Sequence, residues 1–495
     1  MKKKYTFYSI IAGLALVLGT AGYNLGLSGE SAYEKIRILV DIIDQIQNNY
    51  VESVEVKDLV YGAATGLVRT LDPFSQFLPP EALKEMKVET EGEFGGIGIR
   101  VAIGEDSWLT VVTPLPGTPA FRAGVFPRDR IVKIDGSSTE GITIEKAVQK
   151  LRGKPGAKVT ITVWRPEEGA NGQAQANKET TKDFTLTREV IKIQTIYSRM
   201  LSDNIGYVRI TEFNARTPQD IHEMLSKLGK EGMQSLVLDL RFNPGGLLPS
   251  AIETTKEFIG EDKVVVYTQG RKAESRVEYR AGARAAYGDV PLVVLINEGS
   301  ASGSEILAGA LQDHKRAVLV GARSFGKASV QSVVNLSDGS GLRLTTAYYY
   351  TPNGRLIHKK EFKRKKPGET ANDTEEEPAA HDPIADGKQS KESADKNSGA
   401  EEKGQWGIEP DIAVNVDRET AAKIYQSFDV AYFPDKPEET KPIRDLFKKD
   451  KAGDAQKSKA EETPKAKTEE PLRDVVLDRA IELLKARKLL LHMAR

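Results

Sequence analysis

Pro291-Leu292-Val293-Val294-Leu295-Ile296 leads directly into Asn297-Glu298-Gly299-Ser300-Ala301-Ser302-Gly303-Ser304-Glu305-Ile306. The first run has the length and the β-branched character of a buried strand. The second is built of small residues. Ile306, Leu307, Ala310 and Leu311 then recur at helical steps, so the chain turns from strand to helix near Ser302. A serine at such a turn has its hydroxyl at a helix N-terminus, where the dipole favours developing negative charge. Around it, from about residue 191 to 350, strands and helices alternate. Ile205 to Ile210, Ser235 to Leu240 and Ala317 to Val320 are further buried-strand candidates. Thr217-Pro218-Gln219-Asp220 reads as a helix start with a capping hydroxyl, followed by the stripe Ile221, Met224, Leu225 and Leu228. This is an α/β layer architecture.

Composition narrows the chemistry. The chain has 495 residues, enough for about three domains. Lys+Arg and Asp+Glu are both 71, and this balance argues against a nucleic-acid partner. Cysteine is absent, which excludes disulfides, thiolate metal sites and cysteine nucleophiles. Five histidines without an HExxH spacing speak against a zinc protease, and no metal or cofactor is expected. Hydroxyl, carboxylate, lysine and backbone groups remain.

Ser302 needs a base, and no histidine–aspartate pair or G-x-S-x-G elbow stands out. Lys327 can serve if it is neutral near pH 7. Lowering an amine by about three pH units costs roughly 4 kcal/mol, within reach of burial among apolar groups such as Phe325 and Val330. Gln331, four positions on, can hydrogen-bond a neutral amine without adding charge. Lys327 also sits in Gly321-Ala322-Arg323-Ser324-Phe325-Gly326-Lys327-Ala328, close to a phosphate-binding loop. Ala328 occupies the place of the metal-binding hydroxyl, however. The residues after it alternate as a hairpin around Asp338-Gly339, so no helix N-terminus is offered to a phosphate.

Gly299-Ser300-Ala301-Ser302-Gly303-Ser304-Glu305-Ile306, together with Phe325-Gly326-Lys327-Ala328-Ser329-Val330-Gln331, closely resembles the carboxyl-terminal processing protease family. The resemblance implies a serine endopeptidase with a protease core of the ClpP/crotonase-like α/β type. It implies Ser302 as nucleophile, Lys327 as base and Gln331 as the residue that orients the base. Leu238-Asp239-Leu240-Arg241-Phe242-Asn243-Pro244-Gly245-Gly246 extends it. There the amide of Gly245 or Gly246 would join that of Gly303 in an oxyanion hole, since glycines let backbone N–H groups approach an oxyanion closely. Two departures occur. Gly303 stands where the family often has alanine, and Leu71-Asp72-Pro73-Phe74-Ser75 has Phe74 where histidine is common. Taken alone, Ser302 could be a helix cap and Lys327 a surface charge; together, in the family's order and spacing, the two motifs favour the dyad.

Residues 89–188 are β-rich with Gly and Pro turns and a helical segment at Thr143 to Leu151. Phe94-Gly95-Gly96-Ile97-Gly98-Ile99 resembles the carboxylate-binding loop of a PDZ domain. That resemblance implies Gly96, Ile97, Gly98 and Ile99 as peptide-binding residues, with a peptide tail adding as a strand. Arg152, after the helix, is a candidate contact with the protease core. Residues 167–182 read as a polar hairpin loop.

The ends complete a multidomain plan. Three lysines at 2–4 precede an uncharged stretch from Tyr5 to Tyr23, so residues 1–28 read as a signal peptide or membrane anchor. The chain beyond residue 28 is then expected outside the cytoplasm, in the periplasm or its equivalent. Residues 31–88 form an N-terminal helical region too thin to bury a core alone. Residues 190–364 and 406–436 make up the core. Residues 367–405 read as a disordered insert and 445–470 as a linker, both almost without large apolar side chains; 471–495 is a C-terminal helix. The apolar faces of the end helices point to a homo-oligomer. The expected partners are protein or peptide substrates with accessible C-terminal tails. The rival readings are a non-catalytic PDZ adaptor and a nucleotide hydrolase.

Overall fold

The computed structural model describes residues 29–104, 106–168, 174–360, 406–431 and 473–493. The stretches expected to be a leader (1–28), an insert (367–405) and a linker (445–470) lie outside them.

The N-terminal region has helices α1 (Gly29–Asn49), α2 (Val56–Arg69) and α3 (Pro80–Glu91), with strand β1 (Gln76–Leu78) between the last two. The strand was not foreseen, because three residues carry too little periodicity to read. It decides where the region goes, pairing antiparallel with a protease strand: Gln76 faces Arg343 and Leu78 faces Gly341. Helix α1 leaves Ile36, Ile38, Val40 and Ile42 exposed.

A two-stranded ribbon leads into and out of the next domain. Strand β2 (Glu93–Gly96) pairs antiparallel with a returning strand at Glu189–Lys192. Between them lie β3 (Ile99–Ile103), β4 (Leu109–Pro114), α4 (Pro119–Ala123), β5 (Arg130–Ile134), β6 (Ser137–Ser138), α5 (Ile144–Leu151), β7 (Lys158–Glu168) and β8 (Ala174–Thr187). The returning strand is β9 (Glu189–Lys192). Thr143 caps α5 through Lys146 N–H. Leu109, Ile131, Ile134, Ala147, Ile161 and Val163 form a closed core. The 167–182 stretch, expected as a loop, is mostly strand: β7 and β8 run on as a long hairpin, with Arg165 opposite Thr180. Backbone pairing carries polar residues there, which composition alone cannot reveal.

The remaining elements are β10 (Ile196–Met200), β11 (Ile205–Ile210), α6 (Thr217–Lys230), β12 (Ser235–Asp239), α7 (Leu248–Lys256), β13 (Val264–Gly270), β14 (Val277–Arg280), β15 (Leu292–Ile296), α8 (Gly303–Asp313), β16 (Val318–Gly321), β17 (Ser329–Asn335), β18 (Gly341–Tyr350), β19 (Ile412–Ala413), α9 (Arg418–Ala431) and α10 (Val475–Met493). One sheet has the order β10-β11-β12-β15-β16-β19, parallel except for β10. A second joins β1, β18, β13 and β14, with β17 on β18. Helices α6, α7 and α8 contribute Ile221, Leu225, Ala251, Ile306, Leu307 and Leu311 to a core shared by Val208 and Val294 of the first sheet and Val265 and Tyr349 of the second. On the first sheet's other face, Val476, Ala480 and Leu484 of α10 bury Tyr207, Val237 and Leu295. The start of α6 is capped differently from the expectation. Asn214 Oδ1 accepts the amides of Arg216 and Thr217, while the Thr217 hydroxyl donates to Glu212 O. After Lys327 the chain enters β17, a strand, so the phosphate-loop geometry is absent.

Candidate active site

Strand β15 ends at Ile296, and α8 begins at Gly303. Ser302 closes the turn with φ 52° and ψ −110°, a conformation non-glycine residues adopt only when their surroundings impose it. Those surroundings are visible. Asn297 N–H donates to Ser300 Oγ, which itself donates to Leu240 O (2.9 and 2.8 Å). Ala301 N–H and Ser304 Oγ both donate to Asn243 O (2.9 and 3.0 Å). The serine turn is thereby fastened to the glycine loop after β12.

Glu305, one turn into α8, is fully buried. Its Oε2 accepts Ser302 N–H at 2.8 Å and Lys327 N–H at 2.9 Å. Its Oε1 accepts Ser324 Oγ–H at 2.5 Å and Gly326 N–H at 2.6 Å. Tyr349 Oη lies 3.1 Å from Ser302 O and 2.5 Å from Lys327 O, facing both carbonyls as a donor. One carboxylate and one phenol therefore hold the main chain of both residues in a single frame. Burial pushes the Glu305 carboxyl up to about 7, against the pull of its four donors. Burial likewise brings the Lys327 amine down to about 8, helped by Arg343 and opposed by Glu305 and Asp72.

Lys327 Nζ sits 4.5 Å from the centre of the Phe74 ring. The Gln331 carboxamide donates to Phe74 O at 2.6 Å. Lys327 and Gln331 thus meet on one residue of the N-terminal region.

In the glycine loop, Gly245 N–H donates to Asn243 Oδ1 at 2.8 Å. A β-carbon on Gly245 would lie 2.6 Å from Ser302 Cβ, and one on Gly246 (φ 137°) 2.2 Å from Phe213 O, so neither position accepts a side chain. Among the described residues, nothing accepts a hydrogen bond from the Gly246 or Gly303 amide. Arg241 anchors the loop from behind. It lies between the buried carboxylate of Asp239 and that of Asp474, just before α10, with contacts of 2.7 Å to each. Tyr207 Oη adds a 2.7 Å bond to Asp239.

The peptide-binding candidates divide between two elements. Gly96 ends ribbon strand β2, opposite Glu189. Ile97 is buried in the domain core. Gly98 (φ 74°) makes a turn closed by Leu115 N–H and Thr118 Oγ on its carbonyl. A β-carbon there would fall 2.3 Å from Thr118 Cβ. Ile99 opens β3. Arg152 stacks on Phe94 of the ribbon, 4.4 Å from the ring centre.

Glu305 and Tyr349 were not singled out from sequence, and Phe74 was noted there only as a departure from the family's pattern. The first was discoverable, since Ser-x-x-Glu at a helix start is a capping-box spacing.

A model of peptidase family S41 matches residues 204–365, and a PDZ domain model matches residues 110–165. A carboxy-terminal-processing protease of Bartonella bacilliformis is 39% identical over 332 residues, 66% of this chain and 74% of the relative. The carboxy-terminal processing protease CtpA of Bacillus subtilis is 33% identical over 71% of this chain and 72% of its own. A solved photosystem II D1 C-terminal processing protease is 26% identical, covers 76% of this chain and 92% of its own, and has a TM-score of 0.38. The chain belongs to the carboxy-terminal processing proteases, serine peptidases of family S41 that carry a PDZ domain. Its substrates are accordingly peptides or proteins.

Proposed function

We propose that the chain is an exported endopeptidase that captures the C-terminal tail of a protein substrate on its PDZ domain and cleaves by acyl transfer with a Ser302/Lys327 dyad. The observation that carries this reading is the single Glu305 oxygen that accepts both the Ser302 and Lys327 amides. Neutral Lys327 takes the hydroxyl proton as Ser302 Oγ attacks the scissile carbonyl, then returns it to the leaving amine. Water hydrolyses the acyl-enzyme by the same proton route. With the amine at about 8, about a tenth of it is neutral at pH 7. Gln331 steadies the base. The amides of Gly303 and Gly246 receive the oxyanion; Gly246 is preferred because the Gly245 N–H is already engaged by Asn243. Gly96, Ile97, Gly98 and Ile99 form the tail-binding loop.

The three lysines followed by the uncharged stretch Tyr5 to Tyr23 favour export, with the leader as anchor if it is retained. Exposed apolar side chains on α1 favour self-association. The test is one incubation of wild type, Ser302→Ala and Lys327→Ala with an unfolded exported protein. Cleavage by the wild type alone supports the dyad; equal cleavage by either variant refutes it. Deleting residues 97–188 and finding tail preference unchanged would remove the PDZ domain from substrate capture.

A further inference from the structure

We infer that Phe74 is a positioning residue of the catalytic centre: its ring seats the Lys327 side chain, its carbonyl holds Gln331, and docking of residues 71–76 therefore completes the site. This inference rests on the reading of Lys327 as the base.

The segment is built to deliver that residue. Asp72 Oδ1 accepts the amides of Phe74 and Ser75, both at 2.9 Å, and Asp72 Oδ2 accepts the Ser75 hydroxyl at 2.7 Å. The turn is then tied to β18: Thr345 N–H donates to Ser75 Oγ at 3.1 Å and Thr345 Oγ–H to Asp72 Oδ1 at 3.2 Å. The pairing of β1 with β18 continues the attachment for three residues. Phe74 consequently has a fixed main chain, and its two polar-recognition features point at two different groups. The carbonyl faces the Gln331 carboxamide, and the ring face lies under Lys327 Nζ. The Gln331 contact joins residues 257 positions apart in the chain, between regions that share no covalent proximity.

The two properties of the ring act on the amine in opposite senses. As an apolar wall it keeps water from Nζ and favours the neutral form. As a π face it attracts the ammonium and favours the charged form. The charged and titratable groups around this pair are Arg343 on β18, Glu305 on α8 and Asp72 on the segment itself. Beside Phe74 lies His358, whose ring centre is 6.3 Å away and whose Nδ1 accepts Ala328 N–H. The Tyr348 ring also packs on His358, its centre 4.8 Å away.

Two substitutions separate the wall from the π face. Phe74→Ala removes both and admits water, so the acid limb of kcat/KM moves to higher pH. At pH 7, kcat falls about tenfold for each pH unit of that movement, with KM within about twofold. Phe74→Leu keeps an apolar cover without a π face, so the limb stays in place or moves to lower pH. Both leave the carbonyl that Gln331 uses. Ser302→Ala and Lys327→Ala are assayed alongside, with thermal melts of every variant. An upward limb in Phe74→Ala beside an unmoved or lowered limb in Phe74→Leu, with Ser302→Ala and Lys327→Ala inactive, establishes the assignment. Unmoved limbs and wild-type kcat in both Phe74 variants, with Ser302→Ala inactive, overturn it while leaving the dyad standing. In Phe74→Ala, a lowered melting temperature with an unmoved limb also counts against it. Retained hydrolysis by Ser302→Ala overturns the dyad and this inference together.

Discussion

Raising the pH from 6 to 9 changes the quantity that sets the supply of base in the proposed dyad, the neutral fraction of Lys327. With the amine brought to about 8 by burial and Arg343, that fraction is about 1% at pH 6, 10% at pH 7, 50% at pH 8 and 90% at pH 9. Hence kcat/KM rises about tenfold from pH 6 to 7, about fivefold from 7 to 8, and less than about twofold from 8 to 9. A solvated lysine, near 10.5, would instead climb about tenfold per unit through the whole range. The stability signs differ for the two buried groups. Lys327 is lowered, so its burial costs stability below about 8, and this is regained between 8 and 10.5. Glu305 is raised, so stability falls as pH climbs from 4.5 to about 7 and is then level. Each effect amounts to about 3 kcal/mol. Between pH 7 and 8 neither is changing much, so a rise of activity in that window reports the base and not the folded fraction. The assay is kcat/KM for an internally quenched peptide at constant ionic strength, with melting temperatures recorded at each pH. A flat profile from 6 to 8, or a climb that continues unabated past 9, would refute the sheltered-amine argument. Arg343→Gln removes a charge that lowers Lys327 and should move the limb upward.

Gly246→Ala would force a β-carbon to within 2.2 Å of Phe213 O, displacing the loop; kcat should fall by about a hundredfold or more, with the far-ultraviolet circular dichroism unchanged. Glu305→Gln replaces an acceptor of four hydrogen bonds with a group that has one acceptor oxygen and two N–H donors. Two of the four donors are stranded and the shared frame loosens, read as a fall in kcat of about tenfold or more at pH 8; an unchanged kcat would contradict the clamp. Asp474→Asn weakens the bidentate hold on Arg241 by about 1–3 kcal/mol. Hydrogen exchange across Val475 to Leu484 should then accelerate before that of β12, and equal protection would deny the link.

The strands of the first sheet were legible because β11, β12 and β15 are covered on both faces and read as unbroken apolar runs. Ser302, Lys327 and Gln331 stood out as a spacing of motifs, and the structure brings the last two onto Phe74. Glu305 was half legible, its position conforming to a cap. By contrast β1 has three residues, and the part of β8 before Phe184 is carried by ladder hydrogen bonds between mostly polar residues, so neither leaves a periodic trace.

Sequence alone determined the chemical vocabulary. It supplied a serine at a strand-to-helix turn, a lysine able to lose its proton, and paired glycines whose backbone other residues cannot copy. Only the tertiary structure decided how these are held. It put the Ser302 and Lys327 amides on one Glu305 oxygen, engaged Gly245 N–H with Asn243 and not Gly246, and brought Phe74 against Lys327 and Gln331. The reason is the range of the forces. Capping, turns and hydrophobic periodicity act within a few residues and are written locally. Desolvation of an amine, and the choice of which buried donor meets which acceptor, depend on chain segments that come together only when the sheets close.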